Sequence, residues 1–532
     1  MRIHKRSVFF SAAMFALCSV SLQIMGFLYR IGLSRLIGAQ GMGVYGLVMP
    51  VYSVLQSFAL SGLVLGVTRR SARYEALGQQ QCVRATLRYS LISYTFLFAV
   101  AATPVLLFNR DLSVQVLGDA RTRTALLILL PYMLLTGIEN LLKAHFQGVR
   151  YILPPIVSEL SEQALRIAAV LTLLYLFRGA NPGVSAALIL IGMVISEVSS
   201  VSLLGTWYTV RTRKKPSGRG APKPECGGVL RGLVRTAIPV SLAGVCTNLL
   251  ASATSVILPR RLALSGLAQE EALSAFGVMT GMTMPFVFMP AALIYPMVSV
   301  LVPKLSQACA LGDKGDVRRK TAKGLHTTGI IAFGSLALLL SCGSSLARLL
   351  YRQETAGDYM VPLAFSAFFT FYQIITGGIL NGIGRHKIAS ASIVLCSIIH
   401  LGFTWFACAV PGIGMAGYVA GDLISALFGA GFNLCVIIRH TRISVRVHNW
   451  AVRPLLSALA ALFSSYLFVQ VFDNLPELWS TIYAAGVCTL VYLATLRFQG
   501  VSLWRYLKRL QYNPEQAETQ AVTNSFFHHP FS

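Results

Sequence analysis

The sequence predicts an all-α polytopic membrane protein of about 14 transmembrane helices. They would form two six-helix bundles related by a parallel repeat, plus two C-terminal helices. Three observations predict this. Apolar runs of membrane-spanning length follow one another along the chain, basic residues concentrate in alternate loops, and motifs of the first half recur in the second. The composition agrees: of 532 residues, 55% are hydrophobic and 12% charged. That charged fraction is about half the soluble norm.

About twenty apolar residues cross the hydrocarbon core. Runs of that kind lie near 8–29, 44–67, 88–108, 124–146, 156–177, 183–208, 232–258, 274–302, 324–346, 360–383, 388–409, 414–438, 454–472 and 478–496. The first follows Arg2, Lys5 and Arg6 but has no small-x-small cleavage site before a soluble domain, so it reads as an uncleaved helix. The division is then an N-terminal six-helix bundle (1–210), a basic hinge loop (211–231) and a C-terminal six-helix bundle (232–440). Two further helices (441–512) and a disordered polar tail (513–532) complete it.

The net charge is +26. Alternate loops, counted from the N-terminus, hold 34 of the 45 Lys and Arg residues; the opposite loops hold 10, and Arg166 lies within a helix. This is the positive-inside pattern of a cytoplasmic (inner) membrane protein with both termini in the cytoplasm. Basic residues confined to short loops argue against a nucleic-acid partner. Ten cysteines are scattered singly with no CxxC pair, so no metal site or disulfide is implied.

The repeat is read from two places. GVYGLVMPVY (43–52) parallels GVMTGMTMPFVF (277–288), and Pro50 and Pro285 each precede a basic residue by nineteen positions. GMVISEVSS (192–200) parallels GYVAGDLIS (417–425), which pairs Gly192 with Gly417, Glu197 with Asp422 and Ser200 with Ser425. Two parallel repeats place a cavity at their interface, where access alternates as one bundle rocks against the other.

Ionisable groups at membrane depth are costly and face a cavity or a partner. Glu159, Glu162 and Arg166 share one face of the fifth helix through spacings of three and four. They read as a structural ion pair or as cavity lining for a charged substrate. Glu139 and Lys143 repeat the i,i+4 spacing near the cytoplasmic end of the fourth helix, where snorkelling is the simpler expectation. Glu197 and Asp422 are matched acids, candidates for gating or for ion coupling. Arg30 and Arg35 follow the first helix on the outer side, and Arg260 with Arg261 follow the seventh. Guanidinium groups grip phosphate with two parallel hydrogen bonds, so paired clusters suit an anionic headgroup. Prolines 285, 290, 296 and 303 crowd the eighth helix and suggest a bent, gating element, with Pro50 its counterpart in the second. His145 and His400 read as packed histidines. No catalytic residue, phosphate loop, HExxH or GxSxG is found, so the chain reads as a non-enzyme without cofactor. Energy would come from an ion gradient (Na⁺ or H⁺), the membrane potential or the substrate gradient.

The hairpin GFLYRIGLSRLIGAQGMGVYGLVMPVYSV (26–54) resembles the stage V sporulation protein B family of polysaccharide transporters, related to MurJ-type lipid II flippases and multidrug/cation antiporters. VTRRSARYEALG (67–78), Phe146–Gly148, SVILPRRLALSG (255–266) and LNGIGRHK (380–387) extend the likeness over nearly the whole chain. The resemblance implies two bundles around a central cavity, and export of an undecaprenyl-pyrophosphate-linked saccharide, a peptidoglycan precursor or surface polysaccharide, with a role in spore cortex synthesis. Its partners would be the lipid-linked saccharide, membrane lipids and cell-wall synthesis enzymes. Arg30 and Arg35 match basic positions of the family's first motif, whereas Gln23 stands where relatives often carry another basic residue. Two other readings remain: a multidrug/cation antiporter of the same fold, and a non-transporting scaffold of a cell-wall synthesis complex.

Overall fold

The first two predicted spans form one long helical element, α1 (Ile3–Ala76), whose two legs meet at Gly38. Gly38 has φ 67° and ψ −175°, a backbone open to glycine alone without strain. No atom stands within 4 Å of where its Cβ would be, so the dihedral rather than crowding demands glycine. The computed structural model describes residues 3–214, 228–442, 451–472 and 474–500. The expected tail 513–532, most of the hinge 211–231 and parts of the segment 441–512 lie outside them.

Every regular element among the described residues is helical. The N-terminal bundle continues with α2 (Gln80–Leu107), α3 (Arg123–Gly148), α4 (Leu153–Leu176) and α5 (Pro182–Lys214). The C-terminal bundle opens with α6 (Gly228–Leu264), α7 (Gln269–Phe276) and α8 (Ala291–Ala310). It continues with α9 (Lys314–Leu338), α10 (Ser344–Tyr351), α11 (Met360–Gly382), α12 (His386–Phe406) and α13 (Met415–Thr441). The last pair, α14 (Arg453–Val471) and α15 (Glu477–Phe498), packs on α9 through Ala458, Ala461, Cys488 and Tyr492. The Tyr492 hydroxyl donates to the Ile330 carbonyl at 2.6 Å. Eleven helices among the described residues are long and apolar enough to cross a membrane, and one of them, Ser21–Ala76, runs 56 residues. The chain is a multi-pass membrane protein.

The repeat is visible where the bundles meet. A Cβ on Gly277 would lie 2.6 Å from the Gly43 nitrogen and 3.0 Å from its Cα. The matched glycines therefore pack backbone to backbone, as small residues allow between membrane helices. The second motif is one residue longer between its glycine and its proline, and a π-helical stretch, Gly277–Thr283, follows Gly277. An i→i+5 turn absorbs one extra residue without breaking the helix, so Pro285 keeps the place that Pro50 has. The eighth predicted span is broken as its prolines require: the helix ends at Val287, turns through Phe288–Pro290, and restarts as α8. The second leg of α1 is joined to α6 by polar contacts. The Gly62 N–H donates to Ser241 Oγ at 3.1 Å, Asn248 Nδ2 to Ser57 Oγ at 2.7 Å, and Ser252 Oγ to the Pro50 carbonyl at 3.0 Å.

Candidate functional site

Three helices of the N-terminal bundle bring their ionisable residues together. The i,i+4 pair Glu139–Lys143 lies on α3. Ser158, Glu159, Glu162 and Arg166 lie on α4, whose first turn is set by Pro154 and Pro155. Glu197 and Ser200 lie on α5. Lys143 Nζ stands 2.8 Å from Glu139 Oε1, 3.3 Å from Glu162 Oε2 and 3.7 Å from Glu159 Oε1. Arg166 Nη2 pairs with Glu162 Oε1 and lies 3.3 Å from Glu197 Oε1. Ser200 donates to Glu139 Oε1 and shares a hydrogen bond with Ser158. The result is a continuous buried chain from α3 through α4 to α5. Four carboxylates against two cations give a formal charge of −4 + 2 = −2 when all are ionised.

Burial decides how these residues read. Glu139 is 2% exposed and Lys143 8%, so they do not snorkel to the membrane surface. The reason is Glu162, which faces them from α4 and makes the interior the better place for the Lys143 ammonium. Only Glu159, with 30% of its side chain exposed, opens to the surface. Ligand oxygens of Glu139, Glu162 and Glu197 lie within 4.8 Å of one another, close enough to share a cation. Glu197 Oε2 and Arg166 Nε are buried without a hydrogen-bond partner of good geometry among the described residues. Tyr29, Tyr45, Tyr52 and Tyr132 stand within the field of the Arg166 guanidinium, with the rings of Tyr52 and Tyr132 5.2 Å apart. The sequence reading passed over these tyrosines because aromatics in apolar helices ordinarily mark lipid contact or core.

The matched position of the C-terminal bundle is built differently. Ser366 on α11 donates to Asp422 Oδ2 at 2.6 Å, and His400 on α12 lies within electrostatic reach of the same carboxylate. The His400 ring lies tilted against Tyr418 with centroids 4.7 Å apart, and its Nε2 is buried without a hydrogen-bond partner among the described residues. His145, by contrast, packs edge-on against Tyr208 at 5.4 Å.

The four arginines that the sequence groups as headgroup candidates are treated unequally. Arg35 donates to the carbonyls of Leu349 and Leu350, Arg260 to that of Gln115, and Arg261 lies over the Trp405 ring at 3.5 Å from its centroid. Arg30 is exposed, and among the described residues no acceptor takes a hydrogen bond from it. Its charge reaches Tyr29 and Tyr45 of the N-terminal bundle and Tyr351 of the C-terminal one. Arg30 therefore lies within electrostatic reach of tyrosines from both bundles, and the buried hydroxyls of Tyr29 and Tyr351 have no hydrogen-bond partner among the described residues. Pro50 and Pro285 lie within α1 and the helical stretch after α7, near the glycine crossing rather than against the charged chain.

Residues 11–309, more than half of the chain, match the family described as polysaccharide biosynthesis protein. The chain belongs to that family. Residues 247–406 also match the MatE family. Stage V sporulation protein B of Bacillus subtilis (strain 168) is 21% identical over 431 residues, covering 81% of this chain and 83% of that protein. Sporulation protein YkvU of the same organism is 20% identical, covering 82% and 94%. Among solved structures, the lipid II flippase MurJ in an inward closed conformation superposes with a TM-score of 0.68 at 12% identity, covering 91% of this chain and 98% of that one. An inward-facing multidrug-resistance MATE transporter of the MOP superfamily gives 0.65 at 15% identity, covering 81% and 100%. This member of the polysaccharide biosynthesis family thus shares the helical fold of the MurJ and MATE structures.

Proposed function

We propose that this chain is a flippase that exports an undecaprenyl-pyrophosphate-linked saccharide by alternating access between its two bundles. Fourteen membrane crossings and both termini in the cytoplasm complete the reading. The observation that carries it is Arg30: an exposed guanidinium within reach of both bundles, with no acceptor among the described residues and with the hydroxyls of Tyr29 and Tyr351, unpartnered among those residues, in its field. That set donates several hydrogen bonds to one anion, and guanidinium takes the two oxygens of a phosphate at once. The acidic chain of α3, α4 and α5 repels a pyrophosphate. Its Glu159 and Glu162 instead suit the hydroxyl donors of a saccharide, while Arg166 keeps them compensated. Tyr29 and Tyr45 lie in the fields of both arginines and so link the two ends of such a headgroup site.

The family description and the flippase name of the solved neighbour support a lipid-linked saccharide. The likeness to stage V sporulation protein B supports a role in spore cortex synthesis, in company with cell-wall synthesis enzymes. Complementation tests the reading in a host depleted of its own lipid II flippase. The intact chain restores growth, and Arg30→Ala lowers rescue at least tenfold at equal membrane expression. Failure of the well-expressed intact chain, together with failure to move other lipid-linked saccharides in vesicles, would overturn it. The convergence of Glu139, Glu162 and Glu197 favours a second reading, a cation antiporter taking Na⁺ or H⁺ at those carboxylates. It predicts dye resistance on expression, abolished by Glu197→Gln.

A further inference from the structure

The arginines that bond across the seam point to a device that the transport reading leaves unspecified. At the end of the molecule away from the basic loops, each bundle reaches into the other. Arg35, at the end of the first leg of α1, donates through Nε to the Leu350 carbonyl at 2.6 Å and through Nη2 to the Leu349 carbonyl at 3.0 Å. Those carbonyls belong to the last turn of α10, where no later N–H of the helix can reach them and the helix dipole is negative. In the reverse direction Arg260, at the end of α6, donates to the Gln115 carbonyl in the π-helical turn Leu112–Val116 that follows α2. Gln269 adds a bond to the Gly118 carbonyl at 2.8 Å, and Arg121 approaches Glu270 at 3.5 Å.

The two contacts share one plan. In both, an arginine at the end of a bundle's first helix grips backbone carbonyls at the end of the other bundle's third span. Both third spans carry a π-helical turn near that end, Leu112–Val116 in one and Leu339–Gly343 in the other. The two bundles also meet at the crossing of Gly43 and Gly277. We propose that Arg35 and Arg260 form a pseudo-symmetric pair of clasps that hold this end of the transporter shut, and that both release when it opens. This rests on the rocking of two bundles assumed above.

The chemistry suits a reversible latch. The acceptors are carbonyls, which water solvates readily once the seam parts, so opening strands no buried charge. Both arginines are exposed, so each clasp is worth a modest, salt-sensitive amount. A latch of this strength biases a two-state equilibrium without freezing it. Gly118 belongs to the same design. Its φ of 78° favours glycine, and a Cβ there would lie 3.1 Å from Arg260 Nε.

The test is a distance measurement in lipid nanodiscs by pulsed electron resonance. Spin labels replace Val114 and Leu264, both exposed and on opposite sides of the second clasp, in a chain whose native cysteines are substituted. The parent gives a mainly short distance. Arg35→Ala and Arg260→Ala each raise the ratio of long to short distances a few-fold, and the double variant raises it roughly tenfold, a shift of about 1.4 kcal/mol. Lysine at either position gives an intermediate shift, because it keeps the charge and loses the fork. An unchanged distribution in a folded double variant would overturn the clasps. Should the double variant not fold, Gly118→Ala, which keeps both arginines, decides: a raised ratio supports the proposal and an unchanged one overturns it. The readout needs no substrate and no assigned membrane orientation, so loss of the transport reading would show separately, as a parent that moves no lipid-linked saccharide.

Discussion

Glu197 and Asp422 occupy matched places in the two bundles, yet their surroundings differ in kind. Glu197 meets a guanidinium from the neighbouring helix α4, at 3.3 Å. Asp422 meets a serine hydroxyl from α11 and the imidazole of His400 on α12. Guanidinium keeps its charge at every physiological pH, whereas imidazole gains or loses a proton near neutrality. The repeat has therefore kept the position of an acid and changed what balances it. The N-terminal bundle balances its acid with a cation of fixed charge, and the C-terminal bundle balances its acid with a group whose charge protonation can alter. The titratable groups facing Asp422 are His400 on α12 and Tyr418, one turn earlier on its own helix α13.

The largest expected effect breaks the fixed side. Arg166→Ala leaves Glu197 uncompensated inside the bundle and Glu162 with Lys143 alone, a loss of about 3–5 kcal/mol. The variant is expected to unfold well below the parent in a thermal scan of the purified protein, with Arg166→Lys between them. Next come the glycines that set both acids in place. A Cβ at Gly192 would lie 2.5 Å from Val170 Cγ2, and one at Gly417 would lie 2.8 Å from the Ala407 Cβ. Each alanine substitution is expected to cost about 1–3 kcal/mol, and similar values for the two would support equivalent packing in the repeat. A third variant makes the first bundle resemble the second. Arg166→His balances the acids only while the imidazole is charged, so its melting temperature is expected to fall more steeply than the parent's as pH rises between about 5 and 8. The smallest effect on stability is expected for Asp422→Asn, below about 1.5 kcal/mol, because Ser366 can still donate to the amide oxygen.

The sequence made some of this legible and hid the rest for physical reasons. Apolar run length marks the helices, because lipid demands it of each helix separately. Glu159, Glu162 and Arg166 share a helix, so their common face follows from spacing. Their partners Lys143 and Glu197 lie on other helices, and which faces meet is decided by packing. Lys143 shows the consequence: beside Glu139 alone it reads as a snorkelling side chain, and Glu162 from α4 is what keeps it inside. The arginines are the sharpest case. Arg30 and Arg35 look alike in sequence, but one has tyrosine hydroxyls of both bundles within its electrostatic reach and the other caps a helix more than three hundred residues away. Backbone acceptors carry no sequence signal, so the cross-bundle contacts of Arg35 and Arg260 could be found only in the structure. The extra residue of the second repeat is visible in the alignment of the motifs, but its resolution as a π-helical turn is not.

The most direct test of the contrast between the bundles is the pH dependence of transport. Lipid-linked saccharide would be loaded into vesicles bearing the intact chain, Asp422→Asn or Arg166→Lys, and its movement followed from about pH 5 to 8. The intact chain and Arg166→Lys are expected to transport with a rate that changes through the imidazole range, and Asp422→Asn with a rate that does not. An unaltered pH profile in Asp422→Asn would contradict the assignment of the protonatable site to the C-terminal bundle.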